Sequence, residues 1–374
     1  MIVLLSAANT LVDSASNKND TDCDAIRNNS SCTQSPSYSC IKVMHDQITC
    51  NMVCGFVTPY DRCDQRCDGA DCDVLECHAS ERCSQDCTSG KCGSMTCNAK
   101  DCTQSCSAPG LCRTLTCPST VKSCTQLSGR EMTCEADACK QSCYERHCQM
   151  ICPTRGIKCT QVSDDISIAS MECDRGLCTQ SCYEYGTCNM SCSSSVTLGR
   201  CHQLCDAAEC GSMTCNATYC TQRASFADKV TMRCEGDVCE QSCSVGKNYC
   251  SMSCPPGVKT CIQVGDVGFG ESIIMRCDGE VCHQTCTSKD GCNMMCSANA
   301  KKCHQTCSSG TCIHKCDAAN CTLSCLGAAC IAGESTTSKS TTPKSTIPNK
   351  RSGTGLQVRP NLLWILVLTF VFYM

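Results

Sequence analysis

Residues 102–134 read CTQSCSAPGLCRTLTCPSTVKSCTQLSGREMTC and contain two versions of one repeat. The first version has four cysteines, arranged as two cysteine-bounded segments that we number from first to fourth. The second version, residues 124–134, keeps the first and fourth cysteines and lacks the two between them. Because the loss of one partner would leave a free thiol, a joint loss indicates that the second and third cysteines bond to each other.

The Cys-x-Gln triplet of this stretch recurs with a period close to 20 residues. Its cysteines lie at positions 63, 83, 102, 124, 139, 159, 178, 201, 220, 239, 261, 282 and 303, and a degenerate copy, CTLSC, begins at Cys321. The second segment is typically Cys-x-Met-x-Cys, as in CNMSC at residues 188–192. Gly, Asn, Ser and Pro are frequent between the segments, which is typical of turns.

The segments predict short β-strands because five residues are too few for a stable isolated helix. Alternate residues of a strand point to one face, so Cys, Gln and Cys share a face, as do Cys, Met and Cys. We therefore predict an all-β solenoid of about 20 residues per coil, stapled by disulfides, with Gln stacked on Gln and Met on Met. Stacked short hairpins remain an alternative. The reason is that facing sheets lie about 10 Å apart, whereas a disulfide requires Cα atoms within roughly 4.4–6.8 Å.

The joint losses lead to two sets of predicted disulfides. Second–third pairing predicts Cys67–Cys72, Cys87–Cys92, Cys106–Cys112, Cys143–Cys148, Cys182–Cys188, Cys205–Cys210, Cys243–Cys250, Cys286–Cys292 and Cys307–Cys312. Four units lack that pair, and there we predict first–fourth bonds within the unit: Cys124–Cys134, Cys159–Cys173, Cys220–Cys234 and Cys261–Cys277. The alternative joins each first cysteine to the fourth cysteine of the preceding coil.

The cysteine content favours the secretory route. The chain has 52 cysteines in 374 residues but only 5 Phe, 1 Trp and 8 Tyr. Cytosolic thiols are kept reduced, so this density indicates an oxidising compartment in which disulfides substitute for a conventional core. Six N-x-S/T sequons support that interpretation and are candidate glycosylation sites: Asn19, Asn28, Asn29, Asn189, Asn216 and Asn320.

The composition divides the chain into five regions. Residues 1–16 are predicted to be a signal peptide, truncated at its start because it lacks a basic n-region. Residues 23–62 form an irregular N-terminal cap repeat, and residues 63–333 are the tandem repeats. Residues 334–355 form a Ser/Thr/Lys/Pro stalk, and residues 356–374 form a spacer with an apolar tail.

The C-terminal tail predicts membrane attachment through a GPI anchor. Its apolar run, LLWILVLTFVFYM, has 13 residues, whereas a spanning helix needs roughly 20. Small residues, a polar spacer and an apolar tail together are typical of a GPI signal, with Ser352 and Gly353 as candidate attachment sites. A short tail-anchoring helix is the alternative.

No sequence motif predicts catalysis or a cofactor: the chain lacks G-x-S-x-G, H-E-x-x-H and a Gly-rich phosphate loop. His202, His283 and His304 share one outward slot, where a solvated surface is the simplest interpretation and a metal ion between stacked imidazoles the alternative. Thiolate metal clusters usually use closer cysteine pairs than these. The outward residues are also too irregular for an ice-binding lattice.

The charge balance gives no indication of a nucleic-acid partner. Residues 1–333 carry 27 Lys and Arg against 35 Asp and Glu, a net charge of 27 − 35 = −8. We therefore predict a non-enzymatic structural or adhesive protein at the extracellular face of the plasma membrane, with an unidentified matrix or cell-surface ligand. The alternative is a secreted-route protein that binds metal or another ligand.

In composition and layout the chain resembles the cysteine-rich, membrane-anchored proteins of coral skeletal organic matrices. That resemblance rests on the cysteine-rich repeats, the stalk and the anchor signal together. It implies shedding at the stalk and a role in a mineral-associated extracellular matrix.

Overall fold

The computed structural model describes residues 31–35, 49–54, 60–68, 71–107, 112–153, 156–164, 168–194, 199–244, 249–266 and 273–333. These residues contain 27 β-strands and no helix, so the predicted all-β class is confirmed. Within the same ranges, no helix is long and apolar enough to cross a membrane. The predicted signal peptide, stalk and C-terminal tail lie outside the described residues.

The strands follow the cysteine-bounded segments closely. They are β1 (Ser31–Ser35), β2 (Thr49–Cys54), β3 (Tyr60–Asp68), β4 (Asp71–Cys87), β5 (Cys92–Asn98), β6 (Asp101–Cys106), β7 (Cys112–Cys117), β8 (Ser123–Leu127), β9 (Glu131–Cys134), β10 (Ala138–Cys143), β11 (His147–Cys152), β12 (Lys158–Ser163), β13 (Ile168–Asp174), β14 (Leu177–Ser193), β15 (Arg200–Asn216), β16 (Tyr219–Ser225), β17 (Lys229–Cys234), β18 (Val238–Ser244), β19 (Tyr249–Cys254), β20 (Thr260–Gly265), β21 (Ile273–Cys277), β22 (Val281–Cys286), β23 (Cys292–Cys296), β24 (Lys302–Cys307), β25 (Thr311–Cys316), β26 (Asn320–Cys325) and β27 (Ala329–Ala332).

The pairing makes the molecule a parallel solenoid and excludes the stacked hairpins. From β2 onward, each strand pairs in parallel with the corresponding strand one coil away, so β6 pairs with β8 and β7 with β9. One ladder, the Gln sheet, contains the Cys-x-Gln segments, and the facing ladder, the Met sheet, contains the Cys-x-Met segments. The long strands β4, β14 and β15 continue around a turn and belong to both sheets. At the N-terminal end, β1 pairs antiparallel with β3.

Two kinds of turn complete each coil. Turn A joins a Gln-sheet strand to the following Met-sheet strand, and turn B joins that Met-sheet strand to the Gln-sheet strand of the next coil. The second and third cysteines therefore flank turn A. The fourth cysteine of one coil and the first cysteine of the next coil flank turn B.

Thirteen glutamines, from Gln65 to Gln305, form an unbroken ladder along the solenoid axis. The Nε2 of each glutamine donates to the Oε1 of the glutamine one coil earlier, and the twelve donor–acceptor distances are 2.8–2.9 Å. The same nitrogens approach backbone carbonyls of the Met sheet, as Gln104 Nε2 does with Met95 O at 2.9 Å. Every amide is buried, so the ladder satisfies polar groups that would otherwise be costly to bury. The predicted stacking of Gln on Gln is therefore present.

The interior has two halves of different composition. The half next to turn A contains the methionines, stacked from Met52 to Met294 with Leu75 and Leu115 among them, together with the turn A cysteines. The hydrophobic residues of the half next to turn B are cysteines and small Ala and Val residues. Every core methionine is at most 1% exposed. Methionine suits this position because its flexible side chain fills irregular gaps.

Candidate functional site

The disulfides at turn A include all nine predicted second–third bonds. They join Cys67–Cys72, Cys87–Cys92, Cys106–Cys112, Cys143–Cys148, Cys182–Cys188, Cys205–Cys210, Cys243–Cys250, Cys286–Cys292 and Cys307–Cys312. A tenth bond, Cys325–Cys330, follows the same rule in the terminal coil and was not among those predicted.

The four predicted first–fourth bonds within a coil are wrong. Cys124–Cys134, Cys159–Cys173, Cys220–Cys234 and Cys261–Cys277 are replaced by bonds across turn B, which join the fourth cysteine of one coil to the first cysteine of the next. The replacing pairs are Cys117–Cys124, Cys134–Cys139, Cys152–Cys159, Cys173–Cys178, Cys215–Cys220, Cys234–Cys239, Cys254–Cys261 and Cys277–Cys282.

Turn B is short enough for a disulfide to cross it. The eight replacing pairs are five or seven residues apart in sequence, and their Cα atoms lie 5.9–6.4 Å apart. That distance is within disulfide range, so the two sheets approach each other closely at the turn B edge. The same short spacing already marked the second–third pairs, and it was the signal that could have identified turn B.

Turn B carries a disulfide at every crossing in the described residues. Besides the eight bonds above, the column contains Cys54–Cys63, Cys77–Cys83, Cys97–Cys102, Cys192–Cys201, Cys296–Cys303 and Cys316–Cys321. The ten turn A and fourteen turn B disulfides together use 48 cysteines. No cysteine whose side chain is described is free.

Three of the coils without a turn A disulfide fill its place with one buried residue from each sheet. Ser163 and Ala169 are aligned with the bonded cysteines of both neighbouring coils, and so are Ala224 and Val230. The third pair is Gly265 and Ile273. All six residues are fully buried. Across these three coils the Gln-sheet residue becomes smaller, from Ser to Ala to Gly, while the Met-sheet residue becomes larger, from Ala to Val to Ile. The core volume therefore stays filled.

The packing at Gly265 shows how complete this replacement is. A Cβ atom placed on Gly265 would lie 2.6 Å from both Ile273 Cδ1 and Met275 Cε. The coil that begins at Cys124 uses a related arrangement, because a Cβ on Gly129 would lie 2.7 Å from Leu115 Cδ1. Its neighbour Ser128 takes a left-handed backbone conformation, with φ of 59°.

Groups of three cysteine sulfurs lie close enough to suggest a metal site, but these sulfurs belong to disulfides. One such group is Cys87, Cys106 and Cys112, whose Sγ atoms lie within 4.8 Å of one another. Cys106 and Cys112 bond to each other and Cys87 bonds to Cys92. Metal binding requires deprotonated thiolates, so these groups would become ligands only after reduction.

The three outward histidines are placed on the Gln sheet as their slot predicts. His283 and His304 are direct neighbours on β22 and β24, with ring centroids 6.1 Å apart and tilted by 58°. They line a shallow surface depression with Val281, Lys302, Asn320 and Thr322. The positively charged Lys302 side chain lines the same depression and would repel a bound cation. His202 lies on β15, where burial and then Arg223 lower its pKa.

Three sequons fall within the described residues, and all three asparagines are exposed. Asn189 and Asn216 lie in and at the end of Met-sheet strands, and Asn320 begins β26. The Asn189 Oδ1 accepts a hydrogen bond from the backbone N–H of Ser212 at 3.2 Å. Asn19, Asn28 and Asn29 lie outside the described residues, as do Ser352 and Gly353.

Arg175 is a buried cation that sequence reasoning missed. It lies in a turn B, where other coils have small residues such as Ala136, and it is 1% exposed. Its Nη2 donates to Cys134 O at 2.6 Å and its Nη1 donates to Ala136 O, two turns earlier along the axis. Gly156 lies between, and a Cβ there would collide with the guanidinium. Burial lowers the pKa of Arg175, while Asp137 and Glu135 oppose that shift.

The coil before the terminal one contains a second missed residue, His314. It occupies the methionine position of β25, aligned with Met294, and is 6% exposed. Its Nδ1 lies 3.2 Å from Gln305 Oε1, and its Nε2 lies 3.2 Å from Cys330 Sγ. Burial lowers the pKa of the imidazole. The signal in the sequence was the segment CIHKC at residues 312–316, which has His where the repeat has Met.

Comparison with known proteins places the chain in no group: no family profile matches it, and no curated protein or solved structure is significantly similar to it.

Proposed function

We propose that the chain is a non-enzymatic structural protein of the extracellular space, a stapled rod that is held at the cell surface and presents its two sheet faces to an adhesive or matrix partner. The observation that carries this proposal is the combination of the unbroken series of turn B disulfides with the unbroken Gln ladder. The turn B disulfides run from Cys54 to Cys321, and the ladder runs from Gln65 to Gln305. A coil therefore cannot open without breaking a covalent link, a row of buried hydrogen bonds, or both.

The covalent links support a mechanical role. In the chain-entropy treatment, closing a loop of about five residues stabilises by roughly 2 kcal/mol, and the described repeats close such loops 24 times. These terms do not add simply, but each coil is constrained on its own. Stacking at about 4.8 Å per strand over fourteen Gln-sheet strands gives a rod roughly 60 Å long.

Extensive disulfide bonding is typical of extracellular and secreted proteins, because cytosolic thiols are kept reduced. The exposed sequons on the Met sheet agree with passage through the secretory pathway. Attachment by a GPI anchor, shedding at the stalk and incorporation into a mineral-associated matrix are further parts of the proposal. They rest on the sequence of residues 334–374 and on the resemblance described above.

The central test is a thiol count on the full chain produced by a secretory eukaryotic host. In denaturant with a chelator and without reductant, we expect almost no titratable thiol and no stoichiometric zinc or copper release. After reduction the same sample should give 52 thiols and become sensitive to protease. More than about ten free thiols in the unreduced protein, with metal released in proportion, would instead support the metal-binding alternative.

Surface attachment has a separate test. Phosphatidylinositol-specific phospholipase C should release the protein from expressing cells, whereas the variants Ser352→Leu and Gly353→Leu together should block attachment. Retention of the protein after phospholipase treatment, with the apolar tail still detectable in it, would favour a spanning helix. If this test fails, attachment by a GPI anchor is contradicted, whereas the proposed structural role is not affected.

A further inference from the structure

The terminal coil differs from the rest of the described repeats in the exposure of its disulfides. In the other 22 disulfides, both cysteines are at most 4% exposed. In Cys316–Cys321 and Cys325–Cys330, one cysteine is exposed and the other is half-buried. The cause is that, among the described strands, β26 and β27 pair on one side only, with β24 and β25. Of the described disulfides, these two are therefore the ones that a thiolate can reach without opening a coil.

Only one of these two exposed disulfides has an imidazole against its sulfur. His314 Nε2 lies 3.2 Å from Cys330 Sγ, whereas Cys321 Sγ has the backbone carbonyl of Ala318 at 3.5 Å. Within Cys325–Cys330, Cys325 is the exposed partner and Cys330 is the half-buried partner next to the imidazole. An attacking group therefore meets Cys325 first.

The polarity of the Gln ladder fixes which nitrogen of His314 carries the proton. Gln305 Nε2 donates to Gln284 Oε1 at 2.8 Å, so Gln305 Oε1 is left to accept at the end of the ladder. The group that faces this oxygen, at 3.2 Å, is His314 Nδ1, which must therefore carry the hydrogen. In the neutral imidazole, the lone pair on Nε2 then points at Cys330 Sγ.

We propose that Cys325–Cys330 is a thiol–disulfide exchange site, with Cys325 as the attacked sulfur, Cys330 as the leaving sulfur and His314 as the positioned base that stabilises it. A thiolate from a thiol-bearing protein or peptide attacks Cys325 Sγ. The Cys325–Cys330 bond breaks as a mixed disulfide forms at Cys325, and Cys330 leaves with the electron pair. The incoming thiol releases its proton to solvent when it forms the thiolate, and His314 Nε2 takes up one proton from solvent as Cys330 leaves. The resulting imidazolium N–H then pairs with the Cys330 thiolate. The step needs no external oxidant.

The chemistry favours this bond because exchange is faster when the leaving thiol has a low pKa. A neighbouring imidazolium lowers the pKa of a cysteine thiol, and Cys330 is the described terminal-coil cysteine with an imidazole nitrogen at contact distance. The disulfides of the remaining coils are buried and are therefore closed to an external thiolate. The proposed site would thus join one end of the rod covalently to a partner without loosening the rod, a capacity that does not depend on how the chain is anchored.

The test compares the two exposed disulfides in one molecule. The oxidised full chain is treated with reduced glutathione for timed intervals, quenched with acid, alkylated and analysed by tandem mass spectrometry. We expect glutathione on Cys325 and an alkylated thiol on Cys330, formed roughly tenfold faster than any opening of Cys316–Cys321. Equal rates for the two bonds, or glutathione found mainly on Cys330, would overturn the proposal.

The variant His314→Met supplies the control because it restores the residue that the repeat uses at this position. We expect its Cys325–Cys330 bond to open at about the rate of Cys316–Cys321. A second variant, His314→Gln, keeps a polar group near Gln305 but no base and should behave in the same way. In each variant the 22 buried disulfides should remain closed, which would show that the variant is folded. An unchanged opening rate in either folded variant would show that His314 has no part in the reaction.

Discussion

Turn A and turn B are closed by the same chemical bond, yet they differ in how often that bond is missing. Turn B is bridged at every described crossing from Cys54 to Cys321. Turn A lacks its bridge in the four coils that begin at positions 124, 159, 220 and 261. The two edges have similar spacing and Cα separations, so the geometry of the bond does not explain the difference.

The composition of the two interior halves does explain it. The turn A half contains the stacked methionines, and side chains such as Val230 and Ile273 can fill a missing bridge there. The turn B half is lined by cysteines, alanines and valines beside the buried glutamine amides. A lost bridge at turn B would leave a void next to polar groups, with little apolar surface to close it. A disulfide can therefore be lost where the core beneath it can replace its volume.

Removing a turn B bridge should therefore have the largest effect. We expect the double variant Cys215→Ala and Cys220→Ala to destabilise the adjoining coil by about 3 kcal/mol, as judged by hydrogen exchange at its backbone amides. That coil already lacks a turn A bridge, so residues between Cys210 and Cys234 would have no staple left. An effect no larger than that of removing the neighbouring turn A bridge would contradict the comparison.

A break in the Gln ladder should come next. Gln203 Nε2 donates to Gln180 Oε1, and Gln203 Oε1 accepts from Gln222 Nε2, both at 2.8 Å. The variant Gln203→Leu leaves the buried Gln180 Oε1 without this donor, so we expect a loss of about 2 kcal/mol in the same exchange measurement. The outward variant Thr221→Val, one position before Gln222, is the matched control and should change stability little. If the two variants behave alike, the ladder is not a stabilising element.

The repeat period made the two sheets predictable from the sequence. The turn B disulfide partners and the roles of single residues depend instead on neighbouring coils. Alternation of Cys, Gln and Cys placed the glutamines inside, and a constant 20-residue spacing stacked them in register. Joint loss of two cysteines identified the turn A bonds. It could not identify the turn B partners, since the first cysteine of a coil lies at the same edge as two different fourth cysteines. His314 and Arg175 also escaped, because each matters through residues one or two coils away.

Substituting a turn A bridge by the residues found in an unbridged coil should be better tolerated. The double variant Cys205→Ala and Cys210→Val copies Ala224 and Val230, which lie in the next coil at the same two positions. We expect a loss of about 1 kcal/mol, since the lost loop closure is partly offset by buried apolar surface. The pair Cys205→Ser and Cys210→Ser, which adds polar groups without filling the space, serves as the comparison. It should be the more destabilised of the two, and equal losses would argue against volume replacement.

Restoring a turn A disulfide should change stability least, and it should stabilise the coil rather than destabilise it. Gly265 and Ile273 are aligned with Cys243 and Cys250 on one side and with Cys286 and Cys292 on the other. The double variant Gly265→Cys and Ile273→Cys should therefore form a new disulfide, detectable as the absence of added free thiols. We expect a net gain of about 1 kcal/mol at most, because the loop-closure term is opposed by the lost burial of the Ile273 side chain. The single variant Gly265→Cys has no partner and crowds Ile273 and Met275, so it should be destabilised. Two persistent free thiols in the double variant would mean that the lengthened turn has moved the edge strands out of bonding distance, and that the unbridged coils differ from their neighbours in backbone as well as in side chains.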